Sequence, residues 1–449
     1  MVQRARGTRD FTPEVMNRRL AFEHLLEQQA RQSGFKRVQT PIFEHLDLFT
    51  AKSGDGVVSQ LYAFQDKSER NLTLRPELTA PVMRMIAEEM RNETKPLRLS
   101  YFGQCFRYEE SKKGRYREFF QYGIELIGAS GPLAEAEVIA VALNMLSECG
   151  LQDYEVRIGH VGVLRSALVG IGFSNEAGDD GKEPTSASAM RFLDKADWQG
   201  MENLMVTLGI DVGHIEPLRS LAELSGGVET LPVARDILSS LDGVDMASLD
   251  ELEQLLVAVD LLADAPPSLS VNLCVARGLD YYTGMVFEVH VPELGGEGQV
   301  LGGGSYRLLH LFGLEDLDPC CGFGLGFDRV LLALQAQAEA EGRSEVVPGE
   351  IPDKGIVAFV PFRIEATEVL PIVYDLRMQG EKVDLELRGR NIGKAFGWAD
   401  GIGAEFVIIV GPKDLENGQA SMKRMADGQQ VTIELNAESI MQAINELRA

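Results

Sequence analysis

Two stretches of this chain, LRLSYFGQCF (97–106) and EFFQYGIELIG (118–128), alternate apolar and polar side chains with period two, the spacing of strands that bury one face. Only a short charged segment separates them, so the pattern predicts a long antiparallel hairpin turning at Lys112-Lys113-Gly114, and with it a sheet at the centre of the fold. The segment FRYEESKKGRYREFFQ (106–121) gathers Arg107, Arg115 and Arg117 with Lys112 and Lys113, in a chain of 68 acidic and 43 basic residues. Strand alternation puts Arg107 and Glu109 on one face, and Arg115 and Arg117 likewise share a face. A guanidinium fork matches two phosphate oxygens, so this local reversal of charge points to an anionic ligand. Solvated charges on an exposed hairpin satisfy the same pattern, and the segment alone leaves both readings open.

At 449 residues the chain is too long for one core and predicts two or three domains. The formal charge of −25 argues against binding nucleic acid over the whole surface, but not against docking on basic strips such as the hairpin and Arg388-Gly-Arg390. No run of about 18 apolar residues and no leader pattern occurs, which predicts a cytoplasmic protein without a membrane span. Cys105, Cys149, Cys274, Cys320 and Cys321 form no C-x-x-C pair, and the six histidines are scattered, so reduced core thiols are expected rather than a zinc site.

Along the chain, residues 13–33 read as a helix ended by Gly34, residues 132–148 as a second helix, and 154–163 as a strand. Residues 164–265 read as an inserted helical module. AEAEGRSEVVPGEIPD has the composition of a linker. These patterns divide the chain into 1–335, a linker at 336–353, and a C-terminal domain at 354–449. In the last, strands and helices alternate as in a small α/β domain with a mostly parallel sheet, and Asn436 is placed to cap its final helix.

Three further segments carry chemistry. In CCGFGLGFDR, Gly322, Gly324 and Gly326 fall on one face of a strand, leaving it bare enough for a flat ring to approach the backbone. Asp328 and Arg329 then open a helix whose positive end favours a phosphate, although a tightly packed strand also tolerates glycine. In Arg277-Gly-Leu-Asp-Tyr-Tyr-Thr-Gly284, Tyr281 and Tyr282 are placed to close a polar pocket, and Arg277 would be costly to bury without an anion. In Thr73-Leu-Arg-Pro-Glu77-Leu-Thr79, Glu77 and Thr79 fit an ammonium ligand or an ordinary helix cap. No G-x-S-x-G, Walker or H-E-x-x-H motif is present. Arginines, a bare strand and a polar pocket suit a reaction that needs positioning and charge neutralisation without a side-chain nucleophile, such as attack of a bound carboxylate on the α-phosphate of ATP.

Taken in order, GTRD (7–10), GFKRVQTPIFE with Pro41, FRYEESKKGRYREFFQ, RGLDYYTG and GFGLGFDR resemble the motifs of the class II aminoacyl-tRNA synthetases, most closely the histidyl-tRNA synthetase family, over essentially the whole chain. The resemblance implies an α+β fold, an antiparallel sheet core flanked by helices with a helical insertion, followed by an anticodon-binding domain. It implies ATP held by Arg107, Glu109, Arg115, Arg329, Gly324 and Gly326; Mg2+ bridging the phosphates is expected from the chemistry itself. Glu77, Thr79 and Gln121 would hold the α-ammonium of histidine, while Glu125, Tyr282 and Tyr306, with Tyr281 nearby, would read the imidazole. Arg277 and Arg107 would assist the attacking carboxylate. Lys112, Lys113, Arg388, Arg390 and Lys394 would meet tRNA(His), and the first motif would build a homodimer. Where the family has Gly-Gly-Arg-Tyr-Asp-Gly, this chain has Gly303-Gly304-Ser305-Tyr306-Arg307-Leu308. A catalytically silent relative serving as a regulatory subunit is the alternative; it would be expected to erode the tyrosine segment or lose the C-terminal domain, and this sequence does neither.

Overall fold

The computed structural model describes residues 2–53, 55–109, 115–176, 184–241, 243–273, 282–350 and 355–448. The chain divides into two compact units, Met1–Glu350 and Ile351–Ala449. The first is organised by a nine-stranded sheet. Its strands run in the order Lys36–Arg37, Leu97–Phe106, Glu118–Ile127, Cys320–Gly326, Gln299–Tyr306, Tyr282–His290, Glu155–His160, Ser268–Asn272 and Ser225–Gly226. Pairing is antiparallel throughout the centre and parallel only where Lys36–Arg37 meets Leu97–Phe106 and where Glu155–His160 meets Ser268–Asn272.

The predicted hairpin forms, with both strands ten residues long. They stop at Phe106 and resume at Glu118, so Arg107, Glu109, Arg115 and Arg117 lie beyond the ladder of the sheet and strand alternation does not fix their directions. One backbone bond, Arg107 N–H to Arg117 O at 3.0 Å, continues the pairing. The Lys112-Lys113-Gly114 tip lies outside the described residues.

One face of the sheet is covered by helices Pro13–Gln32, Pro132–Glu148 and Phe327–Glu341, which share its apolar core. The first starts on proline, whose fixed φ and missing N–H suit a helix start. It buries Arg19, Phe22, Leu26 and Ala30 at helical spacing. Gly34, at φ +81°, follows it as expected. The strand expected at 154–163 ends at His160, because that imidazole accepts the N–H of Gly162 and caps a helix running Val161–Gly170. The inserted helices between Val161 and Leu262 join the same core, and Ala247–Leu262 packs on Pro132–Glu148. Helix Phe327–Glu341 runs into the stretch with linker composition. A small separate sheet pairs Asn71–Leu74 with Phe43–His45 and Tyr62–Gln65.

The second unit has a five-stranded sheet in the order Lys382–Leu385, Ile356–Pro361, Ala404–Val410, Gln419–Arg424 and Gln430–Glu434. The first three are parallel, as the alternation of strands and helices requires. The two short polar strands add antiparallel pairs, so the sheet is mixed rather than mostly parallel. Asn436 caps the last helix, its Oδ1 accepting Ser439 N–H at 2.8 Å.

Candidate active site

In the first unit, glycines on three neighbouring strands stand opposite one another: Gly324 pairs with Gly123 and with Gly302, and Gly322 pairs with Gly304. Gly302, Gly322 and Gly324 among them line a cavity of about 500 Å³. A Cβ on Gly322 would lie 2.0 Å from Glu125 Oε2 and 2.4 Å from Ile124 O, and one on Gly304 would lie 2.9 Å from the Tyr282 ring. Around Gly324, by contrast, nothing approaches closer than Gln121 Nε2 at 3.7 Å, so its bare face opens into the cavity. The periodic glycines therefore clear space for other atoms on the sheet, which a merely packed strand would not require.

At the deep end lies Glu125, 1% exposed. Tyr101 donates its hydroxyl to Oε1 at 2.9 Å, Tyr306 donates a short hydrogen bond to Oε2, and Thr79 Oγ1 lies 3.4 Å from the Tyr101 oxygen. Burial pushes the Glu125 carboxyl up to about 7, against the lowering effect of the bonds from Tyr306, Thr79 and Tyr101. Burial and the facing Glu125 charge hold the Tyr101 and Tyr306 phenols well above their ordinary range. Glu77 caps helix Thr79–Glu89, accepting Thr79 N–H at 2.6 Å and Ala80 N–H at 3.2 Å. A carboxylate has about four acceptor directions, so the cap does not exhaust it. Gln121 Oε1 accepts from the buried Cys105 thiol at 3.2 Å.

At the mouth, Arg107 donates Nε to Pro76 O at 3.1 Å with its guanidinium over the Phe119 ring. Arg115 lies 3.6 Å from Glu109, and Arg329 donates to Gln299 O at 2.7 Å. The structure thus brings Glu77, Thr79, Arg107, Glu109, Arg115, Gln121, Glu125, Tyr282, Tyr306, Gly324, Gly326 and Arg329 around one cavity. Arg277, Tyr281, Lys112 and Lys113 lie outside the described residues. Among the described residues no cluster of three or more metal-ligating side chains occurs.

Two features escaped the sequence reading. Tyr101 alternates with Gly103 and Cys105 on its strand, a signal legible in SYFGQCF. The Ser305 departure has a structural partner: its hydroxyl donates to buried Glu135, which also accepts Met285 N–H at 3.4 Å and whose carboxyl burial raises. Tyr306 nonetheless reaches the cavity, while Arg307 is exposed.

In the second unit, Glu386 accepts the backbone N–H groups of Arg388 and Arg390 at 2.8 and 3.0 Å and the Arg390 guanidinium as well. Arg390 lies over the Trp398 ring, whereas Arg388 and Lys394 are exposed.

Residues 7–330 match the family described as histidyl-tRNA synthetase, and residues 357–447 match the anticodon binding domain. The chain belongs to the histidyl-tRNA synthetase family. It is 39% identical to the histidine–tRNA ligase of Archaeoglobus fulgidus over 432 residues, covering 96% of this chain and 97% of that protein. It is equally similar to the histidine–tRNA ligase of Methanosphaerula palustris, covering 98% and 99%. In fold it resembles apo histidyl-tRNA synthetase from S. aureus (TM-score 0.70, 27% identity, 99% and 100% covered). It also resembles an ATP phosphoribosyltransferase regulatory subunit/histidyl-tRNA synthetase from Bacillus halodurans (TM-score 0.72, 24% identity, 92% and 98% covered). Since the family fold is shared with a protein so described, fold does not separate ligase from regulator; the full-length identity to histidine–tRNA ligases does.

Proposed function

We propose that this chain activates histidine with ATP and transfers it to tRNA(His), and that the glycine-floored cavity is where activation occurs. The observation that carries the reading is Glu125: a carboxylate at the closed end of the cavity, each oxygen held by a tyrosine hydroxyl, with arginines at the mouth. Imidazole offers one donor and one acceptor, and a pocket with a fixed carboxylate leaves its own polar groups unpaired when an apolar isostere enters. In this reading Glu125 accepts the imidazole N–H, with Tyr282 and Tyr306 completing the pocket. Glu77, Thr79 and Gln121 take the ammonium. The substrate carboxylate then points towards the arginines, where one of its oxygens attacks the α-phosphorus and the bond to pyrophosphate breaks, leaving histidyl-adenylate. Arg107 neutralises the α-phosphate, Arg115 and Arg329 the outer phosphates, and Arg277 is assigned beside the attacking carboxylate. The adenine ring lies on the bare stripe at Gly324 and Gly326. A terminal ribose hydroxyl of the tRNA next attacks the acyl carbon and AMP departs.

Magnesium commonly binds through one or two carboxylates plus substrate phosphates. Glu109, beside Arg115, is the carboxylate at the mouth suited to that habit, and the ion would neutralise charge on the leaving pyrophosphate. A homodimer through the first motif and a cytoplasmic location complete the proposal; no helix among the described residues is long and apolar enough to cross a membrane.

Amino-acid-dependent ATP–pyrophosphate exchange, run with all amino acids in turn, tests the reading. Histidine alone should support exchange, and Arg107→Ala should lower it by about 10³-fold, the scale of losing one charge-stabilising group. Exchange with no amino acid, together with binding to a histidine-pathway enzyme, would favour the regulatory alternative.

A further inference from the structure

The N-terminal segment Gly7–Phe11 is laid across the base of the hairpin. Gly7 O accepts the N–H of Arg117 at 2.9 Å and of Glu118 at 3.4 Å. The contact requires glycine twice over, since φ is +83° and a Cβ would lie 2.6 Å from Arg117 Cγ. Two residues on, the Arg9 guanidinium stacks on the Tyr116 ring with its carbon 3.6 Å from the centroid. Its Nη2 lies 2.8 Å from Asp328 Oδ1. Asp328, 4% exposed, also receives Arg19 Nη1 on Oδ1 at 2.5 Å and the Phe120 N–H on Oδ2 at 2.9 Å. Arg19 in turn rests against Phe11, Phe120 and Phe327, with centroid distances of 4.1, 4.5 and 4.9 Å.

This is an expensive arrangement for mere packing. Two guanidiniums share one carboxylate, and Arg9 Nε and Arg19 Nη2 are buried with no hydrogen-bond partner among the described residues. Aromatic faces supply the remaining attraction. What the arrangement joins is specific in sequence. Tyr116 directly follows Arg115, and Asp328 directly precedes Arg329. Arg9 therefore bridges the immediate neighbours of two arginines that arrive at the cavity mouth on separate segments of the chain, while standing outside the cavity lining itself.

We propose that Arg9 is a positioning residue that fixes the spacing between Arg115 and Arg329, with Asp328 and Gly7 as its supports. The inference rests on the reading that ATP phosphates bind at this mouth. A misplacement of about 1 Å at a charged contact is enough to cost catalysis heavily. At the histidine end of the cavity Glu125 and Glu77 have hydrogen bonds of their own, and only Gln121, which follows Phe120, is tied to Asp328, so that end should be affected much less.

The test is pyrophosphate exchange by the full chain, with KM for ATP and for histidine measured separately and Tm recorded alongside. Histidine-dependent exchange by the unaltered protein comes first; its absence defeats the ATP reading, and this proposal with it. Given exchange, Arg9→Met should lower kcat/KM for ATP about tenfold while KM for histidine moves less than twofold. Arg4→Ala, three residues before that segment and in an exposed pair with Asp10, should change neither. Gly7→Ala, which disturbs the segment without touching charge, should reproduce the split and serves if Arg9→Met fails to fold. Loss of both constants in parallel, or a lowered Tm with both constants intact, overturns the proposal.

Discussion

In the first unit the groups with chemistry face inward: Glu125 is almost wholly buried, and the cavity beside it is floored by glycines that stand in register on two paired strands. In the second unit Arg388 and Lys394 stand on the surface, and Arg390 is folded back onto Glu386. An inward site is made by backbone register, so one added carbon is felt in full. An outward site is made by charge density, so its losses are graded and depend on salt. The two units should therefore fail differently, the first in amino-acid activation and everything after it, the second in tRNA charging alone.

The sharpest contrast comes from Gly322→Ala. Its Cβ would meet Glu125 and the Ile124 carbonyl, and the latter cannot move without shifting a strand. Exchange and charging should both fall by about 10²-fold or more, mostly through a raised KM for histidine. Wild-type exchange in this variant would break the contrast at its inward end. Arg388→Ala combined with Lys394→Ala should lower charging by about tenfold at physiological salt, leave exchange untouched, and flatten the dependence of log affinity on log salt by ~1.4, two contacts at the single-strand slope. Equal loss of exchange and charging would mean damage to the fold instead.

The smallest effect is one of stability. Because the folded Glu125 carboxyl titrates near 7 rather than at its ordinary 4.5, the native state keeps a proton that the unfolded chain has lost between those values. Stability attributable to this group therefore declines as pH rises from about 4.5 to 7, and the full cost is present above 7. Gln cannot ionise, so Tm of Glu125→Gln minus Tm of the unaltered protein should increase between pH 5 and pH 8, with the same comparison at a surface glutamate staying flat. A pH-independent difference would show that the buried carboxylate is not ionising in that range.

Residues that act through their own local pattern were legible in the sequence. The alternation of 97–106 and 118–127 gave both strands, Pro13 and Gly34 bracketed a helix, and Gly322, Gly324 and Gly326 announced a bare strand. What the sequence withheld is long-range pairing. Alternation says which residues share a face but not which strand comes next, and nothing local indicates that Gly123 stands opposite Gly324. The same limit hid Ser305 donating to Glu135 and Arg9 reaching Asp328. Strand alternation also put Arg115 and Arg117 on one shared face, where the chain had in fact left the sheet.

The central pairing of Glu118–Ile127 with Cys320–Gly326 has a consequence for synthesis. The second strand leaves the ribosome roughly 200 residues after the first, which at about 5–20 residues per second is a delay of some ~10–40 s. Through that interval the inner edge of the hairpin has no permanent neighbour and is a template for another nascent copy. A chain released before residue 320 would carry every arginine of the hairpin and still have no floor on which to lay a nucleotide.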